Sequence, residues 1–266
     1  MSGENIFAEE RKRMIVELVN AEEKVTVPQL CDRFSVSPAT VRNDLRELEA
    51  FGLITRTHGG AIRNSRANFE PNAYDKEVAY IREKRDIAAA ALQYVKRGDT
   101  IALDTGTTLY EFAKRLTDID DLTIITNDLQ IAIYLERYSS ASIIFVGGSI
   151  RRDFHCTVGA KALSDLNGLN VDKAFMASNS ISLTKGLTTP NIEMARIKEK
   201  IIEIADQVYL LADSSKIGKT SFVRFADIED VDILVTDAGI SPSTLAKFES
   251  SNVTVTTVNR NGAEEE

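Results

Sequence analysis

Four short polar segments, each directly following an apolar run, hold the residues of this chain best suited to gripping a small anion. Asp104-Thr105-Gly106-Thr107-Thr108 follows Thr100-Ile101-Ala102-Leu103 and opens a helical pattern. Free N–H groups at a helix start, together with hydroxyls, can cradle a phosphate. The segment lacks the lysine and the spacing of a nucleoside-triphosphate loop. Thr126-Asn127-Asp128, Gly147-Gly148-Ser149 with Arg151 and Arg152 just beyond, and Asp213-Ser214-Ser215-Lys216 are the other three. A lysine or arginine among them can neutralise an anionic ligand. Each has a plainer alternative. Asp104 or Thr126 could only cap the following helix. Gly147-Gly148 could only turn the chain. Asp213 and Lys216 could only form a surface ion pair. Asp104 and Asp213 are also the carboxylates that an aldose–ketose isomerase would need as a base.

A second set of residues carries a different chemistry. Ser37, Ala39, Thr40, Arg42, Asn43 and Arg46 crowd one short stretch, with Arg56, His58 and Arg63 soon after. Arginine can fork onto guanine and asparagine onto adenine, and the methyl of alanine or threonine can meet thymine. His58 alone fits a surface turn better than a base contact.

The elements that would position this second set can be read from periodicity. Met14, Ile15, Leu18 and Val19 recur at helical spacing between residues 8 and 21. Lys24-Val25-Thr26-Val27 breaks that period as a short strand would. Pro28 suits the first turn of a second helix that runs to about Phe34. Ser37 is an N-cap with Pro38 at the first helical position, and this third helix runs to Ala50 or Phe51, closed by Gly52. Leu30, Val36, Val41, Leu45 and Leu48 can pack the last two helices together. Leu53-Ile54-Thr55-Arg56-Thr57, the turn His58-Gly59-Gly60 and Ala61-Ile62-Arg63 read as a two-stranded wing. The pattern is a winged helix-turn-helix, whose third helix would enter the major groove of double-stranded operator DNA.

The anion-binding segments sit in a different frame. Asn64 to Asn72 is turn-rich and reads as a linker. A helix is expected from Tyr74 to Lys96, with Val78, Ile81, Ile87, Ala91 and Val95 on its buried face. Strand-like runs then alternate with helical ones as far as Val253-Thr254-Val255. Such alternation argues for an α/β fold with a mostly parallel sheet, and ligands of such sheets bind beyond the carboxyl ends of the strands. Glu193, Arg196 and Lys198 share one late helix and are expected to be mostly solvated, Glu193 nearest the strand ends. The boundaries expected are 8–63 for the winged domain, with its helix-turn-helix at 25–44, 64–73 for the linker, 74–258 for the α/β domain, and a disordered tail at 259–266.

Composition limits the alternatives. Of 266 residues, 43% are hydrophobic and 27% charged, an ordinary balance for a chain with a packed core. No apolar run approaches the roughly 18 residues of a membrane span. The amino terminus lacks a signal-peptide pattern, and Cys31 and Cys156 fit no metal spacing. A cytoplasmic protein without metal or cofactor is expected. The net charge of −8 is unusual for a nucleic-acid binder, and residues 1–64 hold nine basic against ten acidic side chains. The basic character is local: residues 51–66 contain three arginines and no acid, with Arg42 and Arg46 just upstream. A local basic face suffices for phosphate contact.

The motifs together resemble the DeoR family of bacterial regulators. The resemblance rests on Arg11-x3-Ile15-x3-Val19, on Ser37-x2-Thr40-Val41-Arg42-Asn43-Asp44-Leu45, and on Leu48-Glu49-x2-Gly52-x3-Arg56-x-His58-Gly59-Gly60-Ala61. The order of pieces from about residue 75 to 255 is similar to that family's C-terminal domain, whose fold is akin to ribose-5-phosphate isomerase and coenzyme A transferases. The resemblance implies a non-enzymatic repressor, a homodimer or homotetramer, controlled by a phosphorylated sugar. It implies Gly106, Thr107 and Thr108 for the phosphate, and Thr126, Asn127, Gly147, Gly148, Asp213 and Lys216 for the rest of the ligand. Met176 to Ser180 departs from the family in having no glycine. Asp44, acidic within the third helix, is expected to orient Arg42 or to cap structure.

Overall fold

The computed structural model describes residues 7–50, 53–63 and 70–258. Its contacts divide the chain between Pro71 and Asn72 into two compact units.

In the first unit, helix α1 (Ala8–Glu22) leads to strand β1 (Lys24–Thr26) and helix α2 (Val27–Phe34). Thr26 and Gln29 form a reciprocal capping box at the start of α2, with a proline in its first turn. Ser35 turns the chain in the left-handed region. Helix α3 (Pro38–Ala50) follows, and the Ser37 hydroxyl accepts from the Thr40 N–H at 3.1 Å, as an N-cap should. Strands β2 (Ile54–Thr57) and β3 (Gly60–Arg63) form the wing, and β1 pairs with β3 to give a three-stranded sheet. Gly60 is required here, because a Cβ would lie 1.9 Å from the carbonyl oxygen of Val25 on the neighbouring strand. Ile15, Val19, Leu30, Val41, Leu45, Leu48 and Ile54 form the core, with Val36 packed against it.

Asp44 corrects an expectation. Instead of steering Arg42, it points inward and accepts from Arg11 of α1 through both oxygens, at 2.7 and 3.2 Å. Both side chains are buried, and the carboxylate holds the Arg11 guanidinium above its ordinary pKa. The pair fastens α1 to the inner face of α3. Gly52, residues 64–69, the tail from 259 and the side chain of Arg63 lie outside the described parts.

The second unit opens with α4 (Ala73–Val78) and α5 (Ile81–Ala91), then alternates strand and helix. Its main sheet has seven parallel strands in the order β15-β14-β12-β9-β4-β5-β6. These are β4 (Thr100–Leu103), β5 (Thr123–Thr126), β6 (Ser142–Phe145), β9 (Val171–Met176), β12 (Ala205–Leu211), β14 (Ile233–Asp237) and β15 (Thr254–Val258). Helices α6 (Thr107–Ala113), α7 (Leu129–Tyr138), α8 (Ala160–Leu166), α9 (Ile192–Glu203) and α10 (Pro242–Ser250) connect them. A short hairpin of β7 (Ser149–Arg151) and β8 (Cys156–Val158) and a three-stranded sheet of β10 (Ser180–Ser182), β11 (Gly186–Thr189) and β13 (Val223–Ala226) flank the main sheet. One core layer packs Ile87, Leu109 and Phe112 against one sheet face, and another packs Ala162, Ile197 and Phe225 against the other. A parallel sheet needs both faces covered, which accounts for its near-continuous apolar strands.

The single helix expected over 74–96 is in fact two, followed by a 3-10 turn at Leu92–Tyr94. Tyr80 breaks it by entering the left-handed region at φ 55°. The carbonyls freed at the break are taken by the buried ammonium of Lys84, which donates to Ala79 at 2.6 Å and to the oxygen of Lys76. Val78, expected inside, is exposed, and Lys84 takes the inner position instead. The helix expected over 107–116 is α only to Ala113.

Removing one partner of a buried ion pair leaves the other uncompensated, at a cost of roughly 3 kcal/mol. Asp44→Leu is therefore expected to destabilise the first unit by about that amount in urea titrations followed by circular dichroism. Arg11→Met combined with Asp44→Leu is expected to recover most of the loss.

Candidate functional sites

The outward face of α3 is assembled by its inward one. Val41, Asp44, Leu45 and Leu48 are buried, which turns Ala39, Arg42, Asn43 and Arg46 to solvent and leaves Thr40 half-exposed. The outward side chains bond chiefly among themselves. Arg46 donates to Asn43 at 3.1 Å, and Asn43 donates to Glu47 at 2.7 Å. The Ser37 hydroxyl meets that of Thr40 at 2.9 Å. An open cleft of about 300 Å³ runs beside the helix start, lined by Pro28, Pro38, Arg42, His58 and Gly59. His58 and Gly59 reach it because the Gly59 carbonyl accepts from the Val27 N–H at 2.8 Å, tying the wing turn to the start of α2. Arg56 is exposed on the wing and is paired loosely with Glu49 at 3.5 Å. This surface offers arginine, asparagine and methyl groups on one helix with a turn beside it.

The second site lies at the carboxyl edge of the parallel sheet. Strand β4 has β5 on one side and β9 on the other, so the connections run in opposite directions from it. This is the topological switch point at which α/β sheets open a crevice. Asp104 sits there, fully buried. Its Oδ2 accepts from the Ala177 N–H at 3.1 Å and from the ammonium of Lys198. Lys198 also donates to the Ala177 carbonyl at 2.9 Å and lies over the Phe225 ring. The expectation that Lys198 is solvated is thus wrong: α9 turns it inward, 3% exposed, while Glu193 and Arg196 stay outside. A lysine inside an amphipathic helix reads as surface unless its buried counter-charge, 94 positions away, is known.

The neighbouring segments add to this centre. Gly106 has φ 146°, a conformation that side-chain-bearing residues rarely adopt, and it starts α6 without a side-chain cap. Asp128 caps α7 through the N–H groups of Gln130 and Ile131, and also accepts from the Thr105 hydroxyl at 2.6 Å and the Gly106 N–H at 3.3 Å. Burial raises the pKa of Asp128, partly offset by those donors. Thr126 accepts from the Asp128 N–H, and Asn127 donates to the Thr157 carbonyl. Thr108 is buried and Thr107 half-exposed.

Asp213 ends β12, on the far side of β9. Its turn is held by Asp237 of β14, which accepts from the Ser214 N–H and hydroxyl at 2.6 and 2.8 Å. Burial works to raise the pKa of Asp213, but Lys216, the Ser215 hydroxyl and Lys84 outweigh it, and the net shift is downward. Lys216 stands 3.8 Å from Asp213 and is half-exposed. Burial, helped by the charges of Lys216 and Lys76 and opposed by Asp213, pulls Lys84 down to about 8. Lys84, absent from the sequence-based set, therefore belongs to the same electrostatic group. No periodicity flags it, since it occupies a position where an apolar residue is expected.

Three further members of the expected set lie at or beyond the edge strand of the sheet. Gly147 and Gly148 follow the edge strand β6, two strands from β4 in the order β4-β5-β6. The Gly147 N–H is bonded to Asp165 at 3.1 Å. Arg151 lies in the β7–β8 hairpin, 3.7 Å over the Phe154 ring. Three buried acceptors at the sheet edge, Asp104 Oδ1, Asn127 Oδ1 and Asp213 Oδ2, lack a hydrogen-bond partner among the described residues. No group of three or more His, Cys, Asp or Glu side chains among the described residues could hold a metal ion, and no described helix is long and apolar enough to cross a membrane.

Comparison with known proteins places these two sites in context. Residues 80–238 match the family described as the DeoR C terminal sensor domain, and residues 11–67 match the DeoR-like helix-turn-helix domain. The HTH-type transcriptional regulator GlpR of Haloferax volcanii is 39% identical over 246 residues, 92% of this chain and 96% of that protein. The transcriptional repressor AccR of Agrobacterium fabrum is 38% identical over 233 residues, 87% of this chain and 90% of that one. Among solved structures, ribose 5-phosphate isomerase A of Methanocaldococcus jannaschii is 19% identical with a TM-score of 0.38, covering 50% of this chain and 53% of that one. With a DNA-binding helix-turn-helix followed by a sensor domain, the chain belongs to the DeoR family of transcription regulators.

Proposed function

We propose that this regulator is a repressor whose hold on operator DNA is set by a phosphorylated sugar bound at the carboxyl edge of its parallel sheet. The observation that carries the reading is the pairing of unmet acceptors with two lysines, one buried and one half-exposed. Asp104 Oδ1, Asn127 Oδ1 and Asp213 Oδ2 call for a ligand that donates several hydrogen bonds, as a polyol does. Lys84 and Lys216, with the hydroxyls of Thr107 and Thr108 beside Gly106, call for an anion. A sugar phosphate supplies both in one molecule. Ser37, Ala39, Thr40, Arg42, Asn43 and Arg46 would read bases in the major groove, with Arg56, His58 and Arg63 on the backbone or minor groove. The ligand acts by binding the DNA-competent and DNA-incompetent states unequally. Paired half-sites favour a homodimer or homotetramer, working in the cytoplasm. The functional boundaries that go with this reading are 8–63 and 74–258, joined by the linker.

The same electrostatics speak against turnover. A general base works best with a pKa near the working pH. Asp213 is held below the usual carboxylate range, and one oxygen of Asp104 is already occupied by Lys198 and the Ala177 N–H. Pure protein is expected to show no isomerisation of ribose 5-phosphate in a coupled assay, and measurable turnover would overturn the non-enzymatic reading.

Two further outcomes are expected. Arg42→Ala should weaken operator binding at least about 10-fold in footprinting, the loss of one bidentate base contact, while ligand-induced stabilisation stays intact. In a thermal-shift screen, the cognate sugar phosphate at a hundredfold excess over its Kd should raise the melting temperature by roughly 5–10 °C. Lys216→Ala should shrink that shift and leave DNA binding unchanged. The ammonium of Lys84 attracts the anion only while protonated, so affinity should fall as pH rises from 7 through about 8 to 9. A wild-type shift that is flat over this range would remove Lys84 from the site.

A further inference from the structure

We propose that the break between α4 and α5 is a ligand-operated latch: an anion bound at the sheet edge draws Lys84 and Thr107 away from the last turn of α4, and that release is what reaches the linker. The latch rests on the sugar-phosphate reading of the same site and supplies its route of regulation. Lys84 and Thr107 are assigned to the anion, yet both also hold α4. The ammonium of Lys84 donates to the carbonyl of Ala79 at 2.6 Å and to that of Lys76. The Thr107 hydroxyl donates to the same Lys76 carbonyl at 3.4 Å. Tyr80, whose left-handed backbone makes the break, has its ring 6.0 Å from the ammonium of Lys216.

These contacts compete with a ligand. A lysine ammonium has three N–H donors. Two of those on Lys84 are occupied by α4, and the residue is only 3% exposed. An anion therefore engages this ammonium fully only when the last turn of α4 gives way. Lys216 and Lys76 press like charge on Lys84. A phosphate relieves that repulsion and a neutral carbonyl does not, so the exchange favours the phosphate. The latched state also carries two costs that release removes. One is the left-handed backbone at Tyr80, φ 55°. The other is the buried Oδ2 of Asp75, which has no hydrogen-bond partner among the described residues. Little apolar packing resists the change: only Ala73 of α4 is buried, and Tyr74 and Val78 stand 72% and 51% exposed. Elements with few buried apolar contacts open locally at small cost. In the chain, α4 begins directly after the point where the two units divide. A change in its last turn thus acts on the first element to which the linker is joined. A ligand that prefers the released state shifts the population toward it.

The test is hydrogen exchange of the full chain, read over residues 73–80 by mass spectrometry, with and without inorganic phosphate at constant ionic strength. Phosphate should speed exchange there at least about 10-fold, as expected for losing one hydrogen bond to a charged group. Lys84→Met should do the same without phosphate. It should also change operator affinity at least about 5-fold, the low end of ordinary coupling between sites. Tyr80→Asn, which enters the left-handed region more easily, should slow exchange and move operator affinity the opposite way. Thr107→Val keeps the side chain's shape, removes the second donor to the Lys76 carbonyl, and decides the matter if Lys84→Met fails to fold. Exchange that is unchanged or slowed, while phosphate raises the melting temperature, overturns the proposal. So does a Lys84→Met protein that matches wild type in exchange and operator affinity. If neither phosphate nor any sugar phosphate raises the melting temperature, the sugar-phosphate reading fails, and the latch stands or falls on the Lys84→Met and Thr107→Val results.

Discussion

A carboxylate with no access to water must be met by a positive charge, and the sensor domain is arranged around one such encounter. Asp104 stands at the point where the sheet's connections diverge, and Lys198 crosses from α9 to neutralise it. The same ammonium and carboxylate hold the N–H and C=O of Ala177, so β4, β9 and α9 meet at one polar knot. Desolvating both charges costs several kcal/mol each, which the pair repays only with good geometry and further hydrogen bonds. A pure hydrocarbon packing would stabilise as well. What the knot adds is a fixed, buried acceptor, Asp104 Oδ1, without a hydrogen-bond partner among the described residues.

The same constraint recurs at smaller scale in the first unit, with a different outcome. Arg11 and Asp44 are both consumed by each other and offer nothing outward. Their work is to set the rotation of α3 about its axis, and the rotation decides which side chains face solvent. In one unit a buried pair therefore leaves one buried acceptor unmatched, and in the other it leaves only an orientation.

The parts legible in the sequence were those governed by short-range rules. Thr26, Pro28, Ser37 and Pro38 mark helix starts because capping and φ restriction act within three residues. The strand-end segments could be located because a parallel sheet puts every strand's carboxyl end on one edge. What escaped depended on distant partners. Lys84 and Lys198 occupy helical positions whose neighbours are apolar, and only contact with carbonyls at a helix break, or with Asp104, shows that they are buried. Asp44 was misassigned for the same reason, its partner being 33 residues away. The break at Tyr80 escaped because nothing local forbids helix there, and the Lys84 ammonium satisfies the carbonyls that the break exposes. Gly147, Gly148 and Arg151 follow the edge strand β6, and composition does not say where in the sheet order a strand lies.

The division of labour on α3 has a consequence for how such a regulator changes over time. Its inner face, Val41, Asp44, Leu45 and Leu48, is committed to the fold. Its outer face, Ala39, Arg42, Asn43 and Arg46, contributes little to stability, since its bonds are exposed and local. Substitutions outside are therefore nearly free of folding cost, while those inside are not. After gene duplication, two copies could diverge in the sequences they read without either passing through an unstable intermediate, and one scaffold could come to serve many promoters.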